Sequence, residues 1–264
     1  MTLREALHQS SIPRHEAIAL MSHATGLSST EIALKSEQAL RASCEALFFV
    51  GVQRRLRGEP LQYILGQWSF MGFDFNTDAR ALIPRPETEI LVQTVLDYVW
   101  HVNRPGLHVL DLCAGSGCIG IALARLADIY VTAADISQDA LSLAAENAAL
   151  NHVTERMCFV QSDLFEALVG EKFDVIVSNP PYIPRGEMDA LAFEVRDFEP
   201  LNALDGGTDG CDLYRRIIPE SLRHLNAGGA LFLEIGPPEV ADMLPGAQVV
   251  NDYTGRKRVV WACV

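Results

Sequence analysis

Apolar residues in the first sixty positions recur at helical spacing, with no strand-like alternation. Leu3, Ala6 and Leu7 form one stripe, and Ile18, Met21 and Ala24 form another, which Gly26 is placed to stop. Ser43 could cap a longer helix running to Arg57, where Gly58 supplies the end. The pattern predicts a small helical domain over residues 1–60. Between 61 and 85 the period drops to two. Trp68, Phe70, Phe73 and Phe75 alternate about Met71-Gly72, which predicts a hairpin linker. Pro86 and Glu87 then suit the first turn of a helix that carries Leu91, Val95 and Val99 on one face.

From residue 107 strands and helices take turns, so residues 86–264 read as one α/β domain. Apolar runs predict strands at 108–112, 130–134, 157–161, 173–178 and 230–235, and a returning strand within 255–261. Helices are predicted over 118–126, from the cap Ser137 to Leu150, and near 212–224. Such alternation makes a largely parallel sheet covered on both faces. Ligands on these sheets bind beyond the carboxyl ends of the strands.

Composition fits a packed protein: 49% of the 264 residues are hydrophobic and 21% charged. No apolar run reaches the ~18 residues that span a bilayer. The opening MTLREALHQS has neither a basic start nor an apolar core, so no signal peptide is expected. Cys44, Cys113, Cys118, Cys158, Cys211 and Cys263 lack metal-ligand spacing, which predicts reduced thiols in the cytoplasm and no metal site. Charge is unevenly placed. Residues 1–60 hold seven Lys/Arg and six Asp/Glu, leaving 14 basic and 28 acidic residues for the remainder. So acidic a sheet domain repels a phosphate backbone and suits a basic protein partner better.

The first strand of this domain runs into Asp111-Leu112-Cys113-Ala114-Gly115-Ser116-Gly117-Cys118-Ile119-Gly120. Residues 115–120 spell G-x-G-x-x-G, and Asp135 follows at the end of the next strand, where it can hold ribose hydroxyls. A nicotinamide-dependent oxidoreductase is compatible with that much. The acid at Asp111 and the tight Gly115-Ser116-Gly117 turn look instead like the S-adenosylmethionine loop of class I methyltransferases. On that reading Asp163 would accept from the adenine amino group and Leu164 would lie against the ring. Asp163 could equally cap a helix.

Asn179-Pro180-Pro181-Tyr182 leaves the end of the buried strand 173–178 directly, and its chemistry is the most informative in the chain. An amide or ring-amino nitrogen is a poor nucleophile because its lone pair is delocalised, the resonance that also flattens a peptide bond. Two acceptors aimed at its two N–H bonds turn that lone pair towards an incoming methyl carbon. The Asn179 side-chain oxygen can be one acceptor and the Pro180 carbonyl the other. Neither proline adds a competing N–H, and Pro181 biases Pro180 towards an extended backbone. Tyr182 offers a flat face to a planar group. Positioning of this kind can supply about 7–11 kcal/mol without a strong base.

With these motifs in place, the chain resembles the bacterial protein-(glutamine-N5) methyltransferases called PrmC or HemK. The likeness also includes Gly58-Glu59-Pro60, Ile83-Pro84-Arg85-Pro86-Glu87-Thr88-Glu89, Phe198-Glu199-Pro200-Leu201 and Asp252-Tyr253-Thr254-Gly255-Arg256. It implies a class I, Rossmann-like fold with a mostly parallel seven-stranded sheet behind the helical domain and hairpin. It implies methyl transfer from S-adenosylmethionine, with S-adenosylhomocysteine as product, to the glutamine in the Gly-Gly-Gln tip of class-1 peptide chain release factors. Residues 113–117, Asp135, Leu164 and Asn179 would contact the cofactor, Asn179 to Tyr182 the glutamine, and the helical domain would help to hold the factor. Two positions depart from the family pattern. Cys113 and Ala114 stand where many relatives have Gly and Thr, and Leu164 stands where some have tryptophan. A ribosomal-protein glutamine or a nucleic-acid adenine are the alternative acceptors. The acidic sheet domain argues against the second.

Overall fold

The helices of the first unit begin where local hydrogen bonds dictate. In a computed structural model describing residues 1–263, α1 (Leu3–Gln9) and α3 (Ser29–Leu34) open on reciprocal capping boxes, Thr2 with Glu5 and Ser28 with Glu31. Between them α2 (Arg14–Thr25) ends at Gly26, whose φ of 72° lets its N–H reach the Ser22 carbonyl. The longer helix, α4 (Ala42–Leu56), starts from an extended Arg41 rather than from Ser43, which lies inside its first turn. Leu3, Leu20, Met21, Ile32, Phe48 and Val52 form the core of this unit. Ile18 and Ala24 are only half-buried at its rim, so the stripe faces inwards about one position away from the expected one.

The helical unit extends past residue 60. Pro60 opens a further short helix, α5 (Leu61–Leu65), and Gly66 at φ 74° closes it. Leu61, Ile64 and Leu65 pack on the helical core, a helical spacing overshadowed in the sequence by the aromatic alternation that starts at Trp68. The unit comprises Met1–Gly66 together with Phe193–Phe198. The second segment is anchored within it by Arg55, which pairs with Glu194 at 2.9 Å and with Glu16 at 2.7 Å.

The second unit, Gln67–Ala192 and Glu199–Val264, opens on the expected hairpin: β1 (Gln67–Phe70) pairs antiparallel with β2 (Phe73–Asn76). Next come α6 (Thr88–Val102), β3 (Leu107–Leu112), α7 (Cys118–Leu126), β4 (Ile129–Asp135), α8 (Gln138–Leu150), β5 (Met157–Gln161) and β6 (Phe173–Ser178). After α9 (Phe193–Phe198), already placed in the helical unit, follow α10 (Asp212–His224), β7 (Leu225–Glu234), α11 (Val240–Met243), β8 (Gln248–Asn251) and β9 (Lys257–Cys263). The Ser137 cap of α8 is as expected, its hydroxyl accepting from the Ala140 N–H. Pro86 and Glu87 fall just before α6 rather than in its first turn.

Seven strands form one sheet in the order β5-β4-β3-β6-β7-β9-β8. The first five are parallel, and β9 and β8 complete the edge antiparallel. Side chains alternate between two cores. Val109, Val175, Val177 and Phe232 face α6 and α7, whereas Leu110, Ile176, Leu231 and Leu233 face α10. The chain winds from β3 one way to β5 and then the other way to β7, so the crevice of the sheet opens beyond the ends of β3 and β6.

Candidate active site

A cavity of about 330 Å³ occupies that crevice. Its wall is made by the segments that leave β3, β4, β5 and β6, together with residues 80–85, Thr88 and the loop at 200–205.

The loop after β3 is held from beneath. Asp111, fully buried, accepts from the Gly120 N–H at 2.8 Å, which pins the start of α7 to the strand. A Cβ on Gly120 would lie 2.8 Å from Val131 and 2.9 Å from the Asp111 carboxylate, so the third glycine of G-x-G-x-x-G is demanded by helix–strand packing. Gly117, at φ 76°, serves a similar end. A Cβ there would meet Ala144 at 2.9 Å, and the residue does not line the cavity. Gly115 is different: its φ is 54° and a Cβ there would meet only Ala81, at 4.0 Å, so its backbone stays open to a close ligand. Cys113, Ala114 and Ser116 share the wall with it. Cys113 adopts φ 61° without being glycine, so this turn is reached at a cost in backbone strain. Burial pushes its thiol up to about 12, which keeps it neutral.

Asp135 ends β4 on the same wall. Its Oδ2 accepts from the Gly115 N–H at 2.8 Å and its Oδ1 from the Ser137 N–H at 2.9 Å. Burial raises its carboxyl above the usual range, opposed by these donors. Each oxygen keeps a second lone-pair site for a ligand hydroxyl. Asp163 also lines the cavity, where Arg216 holds one of its oxygens at 2.8 Å. It is not a helix cap, because residues 163–170 form turns rather than a helix; the neighbouring Ser162 hydroxyl accepts from the Ala167 N–H at 3.0 Å. Leu164 presents its side chain to the cavity from a left-handed backbone at φ 51°.

Asn179 and Pro181 reach the cavity, whereas Pro180 and Tyr182 do not line it. The end of β6 is fixed by the Ser178 hydroxyl, which donates to the Leu112 carbonyl at 2.6 Å. Asn179 Nδ2 donates to Thr88 Oγ1 at 3.2 Å, leaving Oδ1 as its free acceptor. Pro180 is buried in the backbone turn. The Tyr182 ring covers Gly236, where a Cβ would stand 2.3 Å from it, and burial pushes its hydroxyl up to about 12. Among the described residues there is no cluster of His, Cys, Asp and Glu that could hold a metal ion.

Several wall residues carry no motif that marks them in the sequence. Glu199, buried, accepts from the Ile83 N–H at 3.2 Å and pairs with Arg85, binding two distant segments into one wall. Ile136, 56% exposed, adds an apolar face beside Asp135. Arg80 stands at the cavity between Asp78 and Glu146, both at 2.7 Å.

Comparison with known proteins agrees with this geometry. The profile of the PrmC N-terminal domain matches residues 2–66, and that of the methyltransferase small domain matches residues 86–194. The release factor glutamine methyltransferase of Thermodesulfovibrio yellowstonii is 34% identical over 98% of this chain and 95% of its own length. That of Geobacter sulfurreducens is 42% identical over 82% of this chain and 75% of its own. The chain belongs to the release factor glutamine methyltransferases. Among solved structures, the hMettl16 catalytic domain superposes with a TM-score of 0.58 at 15% identity, covering 81% of this chain and 80% of that one. A methyltransferase from Pyrococcus furiosus gives a TM-score of 0.52 at 16% identity over 74% of this chain and 90% of its own. These two establish the class I methyltransferase fold. The family uses S-adenosylmethionine, and the wall fits it: exposed backbone at Gly115, a carboxylate at Asp135, and apolar faces at Leu164 and Ile136.

Proposed function

We propose that this methyltransferase modifies the side-chain amide nitrogen of the glutamine in the Gly-Gly-Gln tip of class-1 peptide chain release factors. S-Adenosylmethionine supplies an electrophilic methyl carbon on a charged sulfonium. Gly115 and its neighbours Cys113, Ala114 and Ser116 bind the amino-acid end of that cofactor, Asp135 the ribose hydroxyls, and Asp163 with Leu164 the adenine. Gly117 shapes the turn rather than touching the ligand. Asn179 Oδ1 and the Pro180 carbonyl accept from the two N–H bonds of the glutamine amide, so its lone pair faces the methyl carbon. Pro181 flanks the planar amide, whereas Tyr182, packed on Gly236, supports the turn from behind.

The observation that carries the reading is the Asn179 amide at the cavity wall with its nitrogen engaged by Thr88 and its oxygen free. The acidic sheet unit complements a basic, ribosome-binding factor, and residues 1–66 help to hold it. Among the described residues no helix is long and apolar enough to cross a membrane. The proposed workplace is the cytoplasm, where release factors act. The test is incubation with methyl-labelled cofactor and purified release factor, its tip Gln→Ala variant, ribosomal protein and DNA. Label on the intact factor alone supports the proposal; label on DNA, or equal label on the variant factor, sinks it.

A further inference from the structure

Glutamine methylation requires the Asn179 amide to face one way, with its oxygen towards the reacting nitrogen. An asparagine amide is nearly symmetric in shape, and half a turn about its last bond exchanges an acceptor for a donor in the same place. Its sense must therefore be set by a neighbour. That neighbour is Thr88, 2% exposed at the start of α6, whose Oγ1 accepts from Asn179 Nδ2 at 3.2 Å. The Thr88 side chain also faces the carboxylate of Glu234, 1% exposed at the end of β7, and favours its charged form.

The direction of the chain follows from counting protons. An ionised carboxylate only accepts, so it draws the single hydroxyl proton of Thr88 towards Glu234. The Thr88 oxygen then offers Asn179 nothing but lone pairs, which accept from an NH2 group and repel an amide oxygen. A flipped Asn179 would set two acceptors face to face in a buried position, with the full penalty of an unmade hydrogen bond. The strand register supports the arrangement. Ser178 pairs with Leu233, so Asn179 and Glu234 leave neighbouring parallel strands side by side. The other carboxylate oxygen, Glu234 Oε2, is buried with no partner among the described residues.

We propose that Glu234 and Thr88 form a positioning relay that fixes the donor–acceptor sense of the Asn179 amide and so presents its oxygen to the nitrogen that receives the methyl group. The catalytic consequence rests on the glutamine-methylation reading; the hydrogen-bond sense does not. Neither residue transfers a proton to substrate. Both act through Asn179.

Two variants separate the hydroxyl from the shape of the side chain. Thr88→Val keeps the volume and removes donor and acceptor together; Thr88→Ser keeps the hydroxyl. With labelled cofactor and release factor, Thr88→Val should lose roughly tenfold to hundredfold in kcat while the KM for cofactor stays within about twofold. Thr88→Ser should remain within about threefold of the unmodified protein. An undiminished kcat in Thr88→Val, or an equal loss in both variants, overturns the relay. A second readout needs no substrate. The Asn179 side-chain NH2 resonances, identified by their loss in Asn179→Asp, should show one exchange-protected proton in the unmodified protein and in Thr88→Ser, and none in Thr88→Val. Unprotected protons in the unmodified protein also overturn the relay. A protein that shows this protection yet leaves the release factor unlabelled refutes the substrate reading and leaves the hydrogen-bond sense upheld.

Discussion

The Gly115 N–H donates to Oδ2 of Asp135 across 2.8 Å, so the turn after β3 and the end of β4 are one hydrogen-bonded corner. Removing the carboxylate therefore frees the turn as well as taking away a ligand group. Asp135→Ala should weaken S-adenosylmethionine binding by about tenfold to hundredfold, in line with the ~1.5–3 kcal/mol of a hydrogen bond to a charged acceptor. Calorimetric titration checks this, and an unchanged Kd would rule out the ribose role.

Asn179 should behave in the opposite way. Its amide reaches the cavity, but the groups assigned to the cofactor are anchored without it. Asn179→Ala is expected to abolish methyl transfer while changing cofactor affinity by less than about threefold, because positioning alone can be worth ~7–11 kcal/mol. Retained full activity in a radiolabel assay would refute the acceptor role.

Cys113 holds φ 61° beside the cofactor corner. Left-handed backbone costs a residue with a Cβ about 1–2 kcal/mol, against the ~0.5–1 kcal/mol of chain entropy that glycine gives up on folding. Cys113→Gly should therefore raise the midpoint of thermal unfolding by a degree or two, and β-branched Cys113→Val should lower it by several. A fall in midpoint for the glycine variant would show that packing of the thiol, not backbone strain, governs this position.

Glu234 gives a pH dependence whose sign can be worked out. Burial pushes its carboxyl up from 4.5 to about 7, countered by the Thr88 side chain and by Arg258 and Arg85, with Glu87 adding to the rise. Tyr182, whose hydroxyl is itself pushed up to about 12, faces the same carboxylate and stays neutral. A group raised on folding contributes its stability below its unfolded value and loses it as pH climbs through the folded one. Glu234 therefore favours the fold in acid and ceases to above about 7, and Asp111, pushed up to about 8 by burial, acts in the same sense. The relay needs ionised Glu234, so kcat should rise with pH and level off above about 7 while the unfolding midpoint falls. Neither the sulfonium nor an amide titrates in this range. Glu234→Gln should flatten the kcat limb; a kcat already flat between pH 6 and pH 8 in the unmodified protein would count against the assignment.

Periodicity made the parallel strands of the sheet unit legible because they are short apolar runs, and the Ser137 cap marks the start of α8. Gly115 and Asp135 were legible for a related reason: the spacing of glycine and acid along the chain encodes where backbone and carboxylate come together at the cavity. Other residues were hidden by chemistry that spacing does not record. Gly117 and Gly120 belong to the same motif as Gly115, yet they face Ala144 and Val131 rather than the cavity. Asp163 reads as a cap until Arg216, 53 positions away, is seen beside it. Thr88 and Glu234 meet only because α6 and β7 fold onto the same strand end. The β8 edge strand, Gln248–Asn251, has too few apolar residues to stand out, and α5 was masked by the aromatic hairpin that follows it.

The helical unit is discontinuous in sequence, since Phe193–Phe198 belongs to it along with Met1–Gly66. During synthesis its first five helices emerge early, but its last piece leaves the ribosome only after four parallel strands of the sheet have been made. The unit is thus finished late, and a truncation at Gly66 would orphan a helix that carries Phe193 and Glu194. The same segment begins only 11 residues after Tyr182. The piece that completes the helical unit is therefore tied to the Asn179–Tyr182 turn by a short stretch of backbone, and no single cut in the chain separates the two units.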